Sequence, residues 1–167
     1  MGEAIRQLLL KSNHSIGGDA ETLLVFAARA EHVEQLIKPS LAEGTWVLCD
    51  RFTDSTYAYQ GGGRRISHER IEVLENWVQN ELRPDLTIIL DAAVEIGRQR
   101  IGTQHEHDRF ESEYDAADDF FERVRSTYHE LADAHPQRIR LIDSGQAADA
   151  VRSAVVKEVE EFLMANG

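Results

Sequence analysis

Three short apolar runs in this chain, Trp46 to Cys49, Leu86 to Leu90 and Ile139 to Ile142, each end directly on an aspartate: Asp50, Asp91 and Asp143. The runs are continuous rather than alternating, which is the pattern of strands in a parallel sheet with helices on both faces. Between them the apolar residues switch to helical spacing. Leu23, Phe26, Ala27, Ala30, Val33, Ile37 and Leu41 follow it after Asp19, a candidate N-cap, and Gly44 supplies a stop. Pro39 falls inside that pattern and predicts a kink or break near Lys38. Further helices are expected over 3–10, 69–82, 118–135 and 147–164. The alternation specifies an α/β, doubly wound architecture. At 167 residues, 42% of them hydrophobic, the chain suffices for one sizeable core, so a single domain over 1–167 is expected. No repeat, low-complexity tract or linker interrupts it.

The first run leads into Asp50-Arg51-Phe52-Thr53-Asp54-Ser55-Thr56, a charged pair followed by a helix rich in hydroxyls and amides. In an open parallel sheet ligands bind beyond the carboxyl ends of the strands, so a carboxylate and a guanidinium there face a ligand. Arg51 can clamp a phosphate, and Asp50 is the candidate for holding Mg²⁺ or orienting a nucleophile. The plainer reading is that both residues cap a strand, since Asp and Arg are common at such transitions.

Charge and composition remove several function classes. A formal charge of −12 excludes a nucleic-acid partner, which needs a basic surface to release counterions. Any anionic ligand must therefore meet a local basic pocket. The single cysteine, Cys49, cannot form an intrachain disulfide, which fits a reducing cytosol, and inside an apolar run it reads as a small hydrophobe. No segment has the apolar length of a membrane span and the start is acidic where a secretion signal is basic, so a cytoplasmic protein without membrane contact is expected. Gly61-Gly62-Gly63 lacks the strand-loop-helix context of a phosphate loop and reads as a helix-ending turn, with Arg64 and Arg65 solvated or capping carbonyls. His105-Glu106-His107-Asp108 presents ligands too closely spaced on a polar loop to close a metal site.

Taken together, Ala27-Ala28-Arg29, Gly44 to Arg51, Ser55-Thr56, Ala58-Tyr59-Gln60-Gly61-Gly62-Gly63-Arg64 and Asp108-Arg109-Phe110-Glu111 resemble bacterial thymidylate kinases, in the family's order and spacing and over nearly the whole chain. The resemblance implies a three-layer α/β/α P-loop kinase fold with a parallel sheet. It also implies transfer of the γ-phosphoryl of ATP to dTMP, with Mg²⁺, giving dTDP for dTTP biosynthesis, and a homodimer formed through helices that include 20–36. By the same resemblance Arg51 binds the dTMP phosphate, while Asp50 positions the acceptor and, indirectly, the hydrated Mg²⁺. Arg29 reaches a thymine carbonyl, Thr56 and Gln60 bond the base edge, Tyr59 packs against the sugar, and Phe26 stands in for a stacking aromatic often found at the position of Val25. A lid is expected at about 98–111, carrying Arg98, Arg100, Asp108 and Arg109, with Arg100 the catalytic arginine.

Two departures from the family pattern shape the expectations. The family opens with a strand, a G-x-x-x-x-G-K-[ST] phosphate loop and a second strand, none of which matches anything in this sequence. Its first strand lies between the strands that here end at Asp50 and Asp91, so either the three runs re-pair or the chain is a piece of a longer protein. The lid is also thin, since Gly102 and Gln104 occupy positions that are often Arg in relatives lacking a loop arginine. This chain alone is therefore expected to be inactive in transfer. The rival is a non-catalytic, dTMP-binding pseudokinase; an unrelated α/β interaction domain requires the 50–64 pattern to be accidental.

Overall fold

The computed structural model describes residues 2–11, 16–101 and 118–166. Helix α1 (Gly2–Lys11) leads to α2 (Gly18–His32), which runs through a π-helical turn, Val33–Ile37, into α3 (Lys38–Ala42). After an extended stretch come α4 (Thr53–Thr56), a second π-helical turn, Tyr57–Gly63, and α5 (His68–Gln79). Strand β1 (Thr87–Asp91), α6 (Val94–Ile101), α7 (Asp118–Ala134), β2 (Ile139–Asp143) and α8 (Ala148–Asn166) complete the order. The helices expected from periodicity are therefore present, displaced at their ends by a few residues.

β1 and β2 pair in parallel, from Thr87 opposite Ile139 to Asp91 opposite Asp143, so two of the three strand-ending aspartates stand side by side. Arg125 offsets this like-charge pairing by donating to both oxygens of Asp91 at 2.8 Å, and these bonds hold the Asp91 carboxyl below its ordinary range against the opposing effect of burial. Successive strand residues point to opposite faces. Ile139 packs with Ala132 of α7, whereas Arg140 pairs with Glu158 of α8 at 3.2 Å, which places a helix on each face of the sheet.

The third apolar run does not behave as expected. Trp46 to Cys49 joins no ladder; Trp46 is 72% exposed and Leu48 fully exposed. Among the described residues β1 pairs with β2 alone, so the run neither re-pairs with the sheet nor gains the hydrogen bonds that make burial of a strand favourable. Within it Trp46 lies edge-on to Phe162 of α8 with ring centroids 6.3 Å apart.

Two local features also differ. Gly17, not Asp19, occupies the N-cap of α2; Asp19 lies in the first turn, where it receives Arg70 at 2.8 Å. The second is the form taken by the kink or break expected near Lys38: the helix changes there from the π-helical turn to α3, with Pro39 in the first turn of α3, where its missing donor costs no hydrogen bond.

The main core is built where α7 crosses the Tyr57–Gly63 turn: Ala58, Val94, Phe120, Phe121 and Val124, with Tyr59 and Tyr128 against them. The glycine run ends a helix, as expected, and its lack of side chains permits this crossing. A Cβ on Gly62 would lie 2.1 Å from Thr127 Oγ1 and 2.9 Å from the Arg123 carbonyl oxygen. Arg123 in turn donates to the carbonyls of Gly62 and Gly63 at 3.1 and 2.9 Å. Gly62→Ala is expected to cost about 1–3 kcal/mol, read as a lowered midpoint in thermal denaturation followed by circular dichroism.

Candidate functional site

The chain turns from the extended 46–49 run into α4 at Asp50 and Arg51. Arg51 has φ +66°, a left-handed conformation that a non-glycine residue adopts at a cost of about 1 kcal/mol or more and that recurs at binding sites. What fixes α4 is Asp54, only 7% exposed, whose oxygens accept from both terminal nitrogens of Arg138 at 2.7 Å and from the Thr87 hydroxyl at 3.0 Å. Thr87 opens β1 and Arg138 immediately precedes β2. The Asp54 anchor thus lies at the amino-terminal ends of both strands. With the 46–49 run outside the sheet, the Asp54–Arg138 pair decides where the turn docks.

A cleft of about 850 Å³ opens between α1, α2 and this turn, with Val25, Arg29, Asp50, Arg51, Thr56, Tyr59 and Gln60 among its lining residues. Arg29 reaches across from α2. One terminal nitrogen donates to Thr56 Oγ1 at 2.7 Å and to the Phe52 carbonyl at 3.2 Å, and the guanidinium lies over the rings of Phe26 and Phe52 at 4.7 and 5.2 Å. The other nitrogen, NH1, is buried with no partner. Burial pulls the Arg29 pKa down to about 10, against the attraction of nearby acidic groups. Arg51 is held differently: its guanidinium stacks 4.7 Å above the Tyr59 ring and donates to the Tyr59 hydroxyl at 3.2 Å.

Gln60, 3% exposed, donates through Nε2 to Oε1 of Glu21 at 2.9 Å. Glu21 is fully buried in α2 and also receives Arg64, from Nε and NH2, at 3.2 Å each. Arg64 is therefore neither solvated nor a carbonyl cap, because a buried carboxylate needs a cation beside it; its guanidinium also covers the Phe120 ring at 5.1 Å. These contacts make a compact polar site with one phosphate-sized cation at the rim and an unfulfilled donor inside.

A family model described as thymidylate kinase matches residues 1–155. A thymidylate kinase of Pseudomonas syringae pv. tomato is 52% identical over 164 residues, covering 98% of this chain and 77% of that protein. One from Neisseria gonorrhoeae is 49% identical over 160 residues, covering 96% and 76%. This chain belongs to the thymidylate kinase family. The crystal structure of thymidylate kinase from Ehrlichia chaffeensis superposes with a TM-score of 0.72 at 32% identity, covering 95% of this chain and 72% of that one. The fold is accordingly the family's P-loop kinase type, with a parallel sheet.

Of the residues assigned from the thymidylate kinase pattern, Arg29, Asp50, Arg51, Thr56, Tyr59 and Gln60 all line the one cleft. Phe26 does not; it is 2% exposed and packs beneath Arg29, and Val25 lines the cleft instead. The reason is helical phase, since Phe26 shares its face with the core residues Thr22, Val33 and Ile37. Arg100 is not brought to the cleft either. Its guanidinium donates to the Ser144 carbonyl at 2.9 Å, beside the carboxyl end of β2, about 13 Å along the strands from the Asp54 anchor. Arg98 lies two residues earlier in α6, while Asp108 and Arg109, with the rest of the expected lid from 102 onward, fall outside the described residues. Sequence reasoning missed Glu21, Asp54 and Arg138. Glu21 had one signal: it falls at helical spacing with Val25, Arg29 and His32, on the stripe that faces the cleft.

Because Arg29 keeps a buried charge with one nitrogen unpaired, Arg29→Met is expected to raise the thermal midpoint of the ligand-free protein by about 2–4 °C, measured by scanning calorimetry.

Proposed function

We propose that the cleft binds dTMP and that the chain supplies the acceptor side of a dTMP kinase, receiving the γ-phosphoryl of ATP. The observation that carries this reading is the pairing of a rim guanidinium, Arg51 over Tyr59, with a buried unpaired nitrogen of Arg29 in the same cleft. The first suits a phosphate; the second suits a carbonyl oxygen. Thr56 accepts from Arg29, which leaves its own hydroxyl proton for the base, and Gln60 offers its amide edge. Tyr59 stands where the sugar would pack.

Asp50, exposed at the rim, is the carboxylate for orienting the phosphoryl acceptor. Among the described residues no group of three or more His, Cys, Asp or Glu could hold a metal, so a bound Mg²⁺ fits this site only as part of the ATP complex, with Asp50 meeting its water shell. There it would neutralise charge on the transferring phosphoryl. A homodimer belongs to the same reading; Leu23, 56% exposed on α2, provides apolar surface for it. A second reading, dTMP binding without transfer, is favoured by Arg100, which donates to the Ser144 carbonyl and is not among the residues lining the cleft.

In a calorimetric titration Arg51→Ala is expected to weaken dTMP binding by about 100-fold with the fold intact, as loss of a bidentate charged contact requires. Unchanged affinity overturns the assignment. The 167-residue chain, which has no G-x-x-x-x-G-K-[ST] pattern, is expected to form no dTDP from ATP and dTMP; measurable turnover in a coupled assay removes the second reading.

A further inference from the structure

The buried carboxylate of Glu21 has no place in the reading so far beyond its pairing with Arg64. Its position is unusual, because a fully buried glutamate in the first turn of a helix holds the amide of the cleft residue Gln60 and the guanidinium of Arg64 at once. An ionised carboxylate only accepts hydrogen bonds, whereas a glutamine amide has a donor end and an acceptor end that are nearly equal in shape. Beside Glu21 only one orientation of the Gln60 amide is favourable, with Nε2 toward the carboxylate. Arg64 reinforces this by holding the Glu21 carboxylate in a two-point grip.

We propose that Glu21 is a positioning residue that sets base specificity: by holding Nε2 of Gln60 it turns the amide carbonyl oxygen toward the cleft. This rests on the dTMP-site reading above. The lining of the cleft then combines an acceptor from Gln60 with a donor, the Arg29 guanidinium and its unpaired Nη1. That order matches the imide edge of thymine, where N3–H donates and a ring carbonyl accepts. It opposes cytosine, whose N3 accepts and whose 4-amino group donates, leaving two buried groups unpaired on each side. Discrimination between the pyrimidines is thus carried by a carboxylate that touches neither.

The test is calorimetric binding of dTMP and dCMP to the intact chain, wild type against Glu21→Gln and Gln60→Met. Glu21→Gln keeps the volume but lets the facing amide take either orientation. The preference for dTMP over dCMP is expected to fall by about tenfold or more, chiefly through tighter dCMP binding. A purely structural role would weaken both ligands together and leave the ratio unchanged, which overturns the proposal. If Glu21→Gln does not fold, Gln60→Met decides, because the Glu21–Arg64 pair remains in it; a wild-type dTMP to dCMP ratio in that variant also overturns the proposal. Failure of the wild-type chain to bind dTMP would instead defeat the functional reading on which this one stands.

Discussion

The salt bridge between Asp54 and Arg138 is the joint on which the remainder of the molecule turns. Two bonds of 2.7 Å connect residues 84 positions apart, tying the first turn after Arg51 to the threshold of β2, with Thr87 adding the threshold of β1. Both partners are largely out of solvent, so neither can be lost without stranding the other, and a stranded buried charge costs about 3–5 kcal/mol. Everything the cleft needs from α4 and the Tyr57–Gly63 turn is referred to the sheet through that one carboxylate. The crossing of α7 over the glycine run then sets the angle at which Tyr59 and Gln60 leave the turn.

The polar interior is arranged as a relay of acceptors and donors rather than as isolated pairs. Glu21 holds Gln60 and Arg64, Arg29 holds Thr56, and Arg51 rests on Tyr59. Such networks fix geometry when each member has its partner. The member left incomplete is Arg29 NH1, and the energetic cost of that vacancy is the part of stability that a ligand would return.

Helices were legible in the sequence because apolar periodicity survives local detail: 3–10, 69–82, 118–135 and 147–164 all correspond to helices displaced by only a few residues at their ends. The cleft residues were legible through the family pattern. What failed did so for long-range reasons. The 46–49 run has the composition of a buried strand, but a strand forms only where a neighbour offers its hydrogen bonds, and composition does not report the neighbour. Phe26 against Val25 was a question of helical phase within one residue. Asp54 and Arg138 could not be paired from sequence, since nothing in either segment points across 84 residues to the other.

The open flank of β1 and the exposed Trp46 and Leu48 have a colloidal consequence. Among the described residues the outer edge of β1 is unpaired, and an unpaired edge is a template for another chain's backbone, the arrangement that β-proteins ordinarily avoid. No proline or lysine guards the 46–49 run, and the net charge of −12 adds a general repulsion against unspecific pairing. Charge repulsion of this kind reaches only about 10 Å at 0.1 M salt and shrinks further as salt rises. The molecule's dispersal is therefore governed by ionic strength, while its folding is governed by the packing and ion pairs within.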